Sequence, residues 1–199
     1  MPSNDRETLL PEQVLEITRV FEAPRALVFR LWSNPEHIAR WWGPETCWLD
    51  TIEMDFREGG AWHFWMRNGA GLDHHISGVY RRIAPPERLT FTYINTYDGH
   101  EMEVDLRFTD LGGTTEMRFR QAPFLNLAER DGHNEGWSST FDLLTFYVRK
   151  LGGIDRLFGP PRRDGVAEDI AAARERQAAW WGDEQREPAG KERGDEHGR

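Results

Sequence analysis

Two hydrophobic periods divide the chain. From Val14 to Gln121, apolar residues come in short runs, several with period two, separated by Gly, Pro, Asn and Asp. That is the pattern of strands joined by tight turns. From Gly136 to Leu151 the period changes. Trp137, Phe141, Leu144 and Val148 recur at steps of four, three and four, while Ser138, Asp142, Thr145 and Arg149 fall on other faces. This spacing predicts one long amphipathic helix. The clearest alternation lies at Glu101 to Thr109, where Met102, Val104, Leu106 and Phe108 interleave with Glu101, Glu103, Asp105 and Arg107. Such a segment is a half-buried strand.

In order, the pattern predicts a strand over Val14–Phe21 and short helices over Arg25–Trp32 and Glu36–Trp41. Pro24 suits a first helical turn, Asn34-Pro35 supplies a cap and a first helical residue, and Gly43-Pro44 ends the second helix. Strands follow over Trp48–Phe56, Ala61–Arg67, His74–Ile83, Arg88–Tyr97, Glu101–Thr109 and Thr114–Gln121. Gly59-Gly60, the Asn68 to Gly71 loop, Pro85-Pro86, Asp98-Gly99 and Gly112-Gly113 punctuate them. Connections this short demand antiparallel pairing. Residues 122–135 lead to the long helix. Residues 1–12 read as a flexible start and 13–151 as one domain. Residues 152–181 read as a linker with an appended helix over Asp164–Trp181, and 182–199 as a disordered polar tail.

Composition narrows the class. The 199 residues carry a net charge of −9, which argues against nucleic acid or an anionic membrane as partner. The lone Cys47 rules out an internal disulfide and fits a reducing cytoplasm. No signal peptide and no membrane span is read. Nine Trp and eleven Phe supply enough aromatic volume for a tight core or an apolar pocket.

The segment RVFEAPRALVFRLWSNPEHIARWWGP resembles the opening of the START-like superfamily, in the branch similar to the C-terminal domain of activators of heat-shock-protein-90 ATPase. FREGGAWHFWMR, SGVYRRIAPPERLTFTY and HNEGWSSTFDLLTFYV match that family's double-glycine strand, its Gly to Pro-Pro-Glu-Arg-Leu segment and its Gly-Trp helix opening. The resemblance covers residues 14–151 and implies the α+β helix-grip architecture. In it a curved antiparallel sheet of about seven strands wraps around a long C-terminal helix, with two short helices after the first strand. It also implies an apolar cavity that members use to bind hydrophobic small molecules, to contact a chaperone, or to catalyse.

On the third strand Trp62, Phe64 and Met66 share one face, and the resemblance turns that face inward. Leu89, Phe91, Tyr93 and Asn95 offer a similar face on the fifth. Trp137 and Phe141 stand opposite, with Trp41 or Trp42 near one mouth. Trp41, Trp62, Phe64, Met66, Tyr80, Phe91, Tyr93, Trp137 and Phe141 are therefore the candidate ligand-binding set, and the alternative is that they simply fill the core. No cofactor, metal or catalytic residue is assigned. Asp73-His74-His75 would put its two imidazoles on opposite faces of a strand, short of the convergent ligands a metal needs. His63, His100 and His133 read as surface or loop residues. Glu53, Asp55, Glu101, Glu103 and Asp105 read as solvated strand faces, and Cys47 as a small apolar residue. Trp65 faces outward, where a tail helix carrying Trp180-Trp181 folds back, two chains associate as a homodimer, or the ring stands as an isolated surface aromatic.

The first reading is thus a cytoplasmic, non-enzymatic protein binding a hydrophobic small molecule between sheet and helix. The alternatives are a module that stimulates a chaperone ATPase, which the resemblance alone implies, and a cyclase or lyase acting in the same cavity.

Overall fold

A computed structural model describes residues 9–95 and 99–158, with side chains to residue 152. Strand β1 (Leu15–Phe21) is followed by helices α1 (Arg25–Ser33) and α2 (Pro35–Ile38). Strands β2 (Cys47–Met54), β3 (Ala61–Asn68), β4 (Asp73–Ala84), β5 (Arg88–Asn95), β6 (Glu101–Asp110) and β7 (Thr115–Ala122) come next, then helix α3 (Leu127–Phe158). The strands form one antiparallel sheet in the order β1-β7-β6-β5-β4-β3-β2. From β2 to β7 each strand pairs with its successor, as short turns require. β1 joins the far edge beside β7, so α1 and α2 belong to the connection between the two edges. The helix-grip expectation is met.

Register explains which residues turn inward. Met66 pairs with His74, Phe64 with Ile76 and Trp62 with Gly78. Tyr80 pairs with Phe91 on the next strand, Phe91 with Val104, and Val104 with Gln121. These rows share one face, and the apolar residues in them are buried apart from Met66, which is partly so. The predicted helix stripe of Trp137, Phe141, Leu144 and Val148 is buried against them.

Two helices differ in extent from expectation. Helix α3 begins at Leu127, ahead of Gly136, and continues to Phe158, past Leu151. Asn126 starts it by accepting the Glu129 amide at 3.0 Å, while the Glu129 carboxylate accepts the Leu125 amide at 2.7 Å. This variant of the capping box outweighs the glycines that follow. Gly132, Gly136, Gly152 and Gly153 all lie inside the helix, at an intrinsic cost of about 1 kcal/mol each. Helix α2 stops at Ile38. Trp41 and Trp42 lie beyond it, both donating their amides to the Ile38 carbonyl, before Gly43 turns the chain at φ +98°. Strand β5 runs to Asn95, the last described residue before 99. Tyr97, the Asp98 half of the expected turn, the appended helix with Trp180-Trp181 and the 182–199 tail lie outside the described residues. Among the described residues no helix is long and apolar enough to cross a membrane.

Gly78 has a steric reason. A Cβ there would sit 1.8 Å from the Thr92 carbonyl oxygen and 2.7 Å from Trp62 Nε1. Gly78→Ala is expected to destabilise the fold by about 3 kcal/mol through overpacking. Gly69→Ala, whose Cβ meets nothing within 4 Å, should change stability by less than about 0.5 kcal/mol. Urea denaturation of the two variants checks both values.

Candidate functional site

The concave side is filled chiefly by aromatic rings. Trp32 from α1 meets Trp41 at 4.7 Å between centroids, and Trp42 meets Phe64 at 5.0 Å and Trp137 at 5.1 Å. Trp62 meets Phe64 at 4.9 Å, and Phe119 of β7 meets Trp137 at 4.6 Å. Edge-to-face and tilted pairs of this kind add about 0.5–1.5 kcal/mol each beyond the area they bury. Their packing leaves a void of only about 10 Å³ among Trp32, Ile38, Trp42, Trp62, Phe64, Tyr80, Leu89 and Phe91. A space of that size suits one water and no ligand.

At one end of the helix the packing opens. A cavity of about 190 Å³ is walled by Trp42, Gly43 and Pro44 after α2, Met66 of β3, His74 and Ile76 of β4, and Tyr93 of β5. Gly132, His133, Gly136, Trp137 and Thr140 of α3 form its other wall. Two glycines of the helix, Gly132 and Gly136, border this space. A Cβ on Gly132 or on Gly136 would meet nothing within 4 Å. On the opposite wall Gly43 is equally needed, since a Cβ there would lie 2.9 Å from Met66 Sδ.

The nine candidate residues thus separate by position. Met66, Tyr93 and Trp137 line the open cavity. Trp62, Phe64, Tyr80 and Phe91 surround the small void. Trp41 and Phe141 line neither and are fully packed, Trp41 donating its indole N–H to the Leu31 carbonyl at 3.1 Å. Nine of the cavity residues lie outside the candidate set, and four of these carry a signal in the sequence. His74 continues the inward alternation of Ile76, Gly78 and Tyr80. Gly132, Gly136 and Thr140 follow one another at helical steps of four. His133, expected at the surface, is instead a cavity residue because α3 starts early.

A buried amide organises this wall. Gln121 is 0% exposed and sits on the inward row of β7. Its Oε1 accepts Trp137 Nε1–H at 2.8 Å and lies 3.3 Å from His133 Nδ1, while its Nε2 faces Met102 Sδ at 3.5 Å. An indole N–H can only donate, so the oxygen end of the amide must face Trp137. His133 Nδ1–H then donates to the same oxygen. Tyr93 packs edge-on to His133, with centroids 5.5 Å apart. Burial raises the phenol's proton affinity and keeps Tyr93 neutral.

Two contacts hold the α2 segment to the helix. His37 Nδ1 and the Tyr147 hydroxyl are 2.8 Å apart, and the Glu45 amide donates to Ser139 Oγ at 3.2 Å. The cavity wall formed by Trp42, Gly43 and Pro44 lies between these anchors.

On the outer face, His63 Nε2 and His75 Nδ1 lie 3.2 Å apart. His75 stacks on Trp65, whose indole N–H donates to Asp73, and Arg67 lies over the same ring. Asp105 is nearly covered, contrary to the solvated position expected of it, because Arg88 grips both its oxygens at 2.7 and 3.2 Å and Arg107 adds a third contact. Cys47 is half-buried with a free thiol. Among the described residues no group of three or more His, Cys, Asp or Glu could hold a metal ion.

Gln121→Leu should destabilise the fold by about 1–3 kcal/mol, because Trp137 Nε1–H loses its acceptor inside the core. The unfolding midpoint in urea reads this directly. Acidification acts on two histidines. Burial lowers the pKa of His37, as does nearby Arg30, and burial followed by His75 lowers that of His74. The unfolded chain therefore binds these protons more readily, so stability present above the ordinary value of 6.5 is lost as pH falls below it. Stability measured at pH 7.5 and 5.5 should drop less in the His37→Gln, His74→Gln double variant than in the wild type.

Among solved structures the chain is similar to a protein of Chromobacterium violaceum at 24% identity and TM-score 0.65, covering 68% of this chain and 96% of that one. It is similar also to a protein of Nitrosomonas europaea at 21% identity and TM-score 0.62, covering 71% and 97%. The AHSA1 protein of Silicibacter pomeroyi matches at 25% identity and TM-score 0.63, covering 68% and 97%. Comparison with curated proteins finds no significant match. The family described as activator of Hsp90 ATPase homolog 1-like protein matches residues 22–149, a span running from the end of β1 well into α3. With that match over more than half of its length and the helix-grip sheet described above, the chain belongs to the activator of Hsp90 ATPase homolog 1-like family.

Proposed function

We propose that this domain binds a small hydrophobic molecule, about one aromatic ring in size, in the cavity between the first half of α3 and the β3–β5 end of the sheet. The observation that carries the reading is the 190 Å³ space beside Gly132 and Gly136, faced by Trp42, Met66, Tyr93 and Trp137. Scale decides the ligand's size. A dry cavity of about 150 Å³ suffices for benzene, whereas pockets for drug-sized molecules begin near about 300 Å³. The flat faces of Trp42, Tyr93 and Trp137 suit a ring, and the Met66 thioether adapts to its edge.

The role is binding rather than catalysis. Among the described residues the cavity wall has no Asp, Glu, Lys, Arg or Cys, and its polar groups are those of His74, His133, Tyr93 and Thr140. Thr140 already donates its hydroxyl to the Gly136 carbonyl at 2.8 Å.

Titration of single-ring aromatics, followed by tryptophan fluorescence and by thermal unfolding, tests the proposal. Saturable binding at a ligand concentration of 100 Kd should stabilise the fold by about 2.7 kcal/mol. Gly136→Leu places a side chain in the cavity and should weaken binding at least about tenfold without lowering the melting temperature. Gly136→Ala should stabilise the free protein by about 0.5–1 kcal/mol, because a helix interior favours alanine. A wild-type protein that binds no ring-sized probe would end this reading.

A further inference from the structure

We infer that the water-sized void in the aromatic core is a subsite for one neutral acceptor oxygen, held by the indole N–H groups of Trp32 and Trp62. That oxygen belongs either to a water molecule or to a carbonyl group on the guest of the neighbouring cavity. The two rings come from different elements, α1 and β3, and both line the void of about 10 Å³. Both are closed off from solvent, at 1% and 3% exposure. Neither Nε1 has a hydrogen-bond partner among the described residues.

Two neighbouring indoles show the usual arrangement. Trp41 donates to the Leu31 carbonyl at 3.1 Å, and Trp137 donates to Gln121 Oε1 at 2.8 Å. Buried polar groups are almost always satisfied, and a donor left alone carries its full desolvation penalty. Phe64 and Phe91, in the lining of the same void, fill space without that penalty. Tryptophan at both donor positions therefore calls for an acceptor that the chain itself does not supply.

Size and valence define that acceptor. An indole N–H only donates, so the guest must bring lone pairs, which excludes an ammonium or a metal ion. A space of about 10–15 Å³ holds one water, and a water held inside a protein makes about three hydrogen bonds. Two donors match the two lone pairs of one oxygen. Tyr80 lines the same void and brings a hydroxyl as a third partner. Burial raises the proton affinity of that phenol, so it stays neutral and able to donate or accept. The Trp42 ring lines both this void and the 190 Å³ cavity, so a guest's oxygen would approach across one shared ring. The carbonyl source rests on the cavity being a binding site, whereas the water source does not.

Water-selective NOE and ROE spectra of the isotope-labelled full chain, read at the indole Hε1 protons, provide the test. They are recorded on the free protein and then with excess acetophenone or excess toluene. Trp32→Phe and Trp62→Phe each delete one signal and so assign it, and sequential assignment of the wild type serves where a variant does not fold. In the free protein both protons are expected to show a water cross-peak, with the sign change between NOE and ROE that separates bound water from proton exchange. Cross-peaks that persist with acetophenone give the oxygen to water. Where acetophenone, and not toluene, removes them and moves both Hε1 resonances downfield, the oxygen is the guest's carbonyl. No water cross-peak at either proton, together with no shift on adding acetophenone, overturns the inference. A cross-peak or shift at only one of the two protons also overturns it, and so does loss of the water with toluene as readily as with acetophenone. Failure of both probes to bind ends the ring-sized site, and the cross-peaks of the free protein then decide the subsite by themselves.

Discussion

The hydrogen bond between Trp137 Nε1 and Gln121 Oε1, made inside an apolar core, is the constraint on which the rest of this structure turns. A buried polar group left without a partner costs about 1–3 kcal/mol. Rotating α3 by one residue, about 100° on a helix of 3.6 residues per turn, would orphan both groups at once. The bond therefore sets the rotation of the helix against β7. Once set, Phe141, Leu144 and Val148 turn into the solid part of the interior, and Gly132, Gly136 and Thr140 border the cavity. One ring serves both regions, for Trp137 touches Phe119 and Phe141 on one side and Trp42 and Tyr93 on the other.

That division explains how one scaffold carries a tight core beside an opening. Large rings from α1, the loop after α2, β3, β5 and α3 meet at centroid separations of about 5 Å and leave a water-sized void. Stability is concentrated there. At the other end the chain places glycine twice in mid-helix, where each costs about 1 kcal/mol relative to alanine. A sequence selected for packing alone would fill that position. Local choices that oppose stability concentrate at working sites, and here the two glycines coincide with the cavity.

The same amide passes information to the chemistry of the wall. By orienting Gln121, Trp137 sets the oxygen that His133 Nδ1 faces, so a core packing contact and a cavity-wall residue share one group. The α2 segment is tied to the same helix through His37–Tyr147 and Glu45–Ser139. The Trp42–Pro44 wall of the cavity is thus referred to α3, which fixes its distance from the helix.

Periodicity alone specified most of the architecture. Alternation in Glu101–Thr109 and the four-three-four stripe of α3 depend only on which side chains avoid water, and burial obeys them except at Asp105, which its arginine partners cover. Asn34-Pro35 likewise announced α2 through local capping chemistry, confirmed by the Glu36 amide donating to Asn34 Oδ1 at 2.8 Å. The start of α3 was written just as locally in Asn126 and Glu129, but five polar residues and Gly132 between there and Gly136 masked it, and His133 was displaced to the surface with it. What no local pattern contained was the division of one aromatic face into packed rings and an open wall. Trp62 and Met66 share a strand face and an alternation, yet the first closes a void and the second borders a cavity. The difference lies in what stands opposite, a cluster of indoles in one case and two glycines in the other. Volume across a gap is a property of side chains far apart in the chain, so only the tertiary structure decided where this protein is hollow.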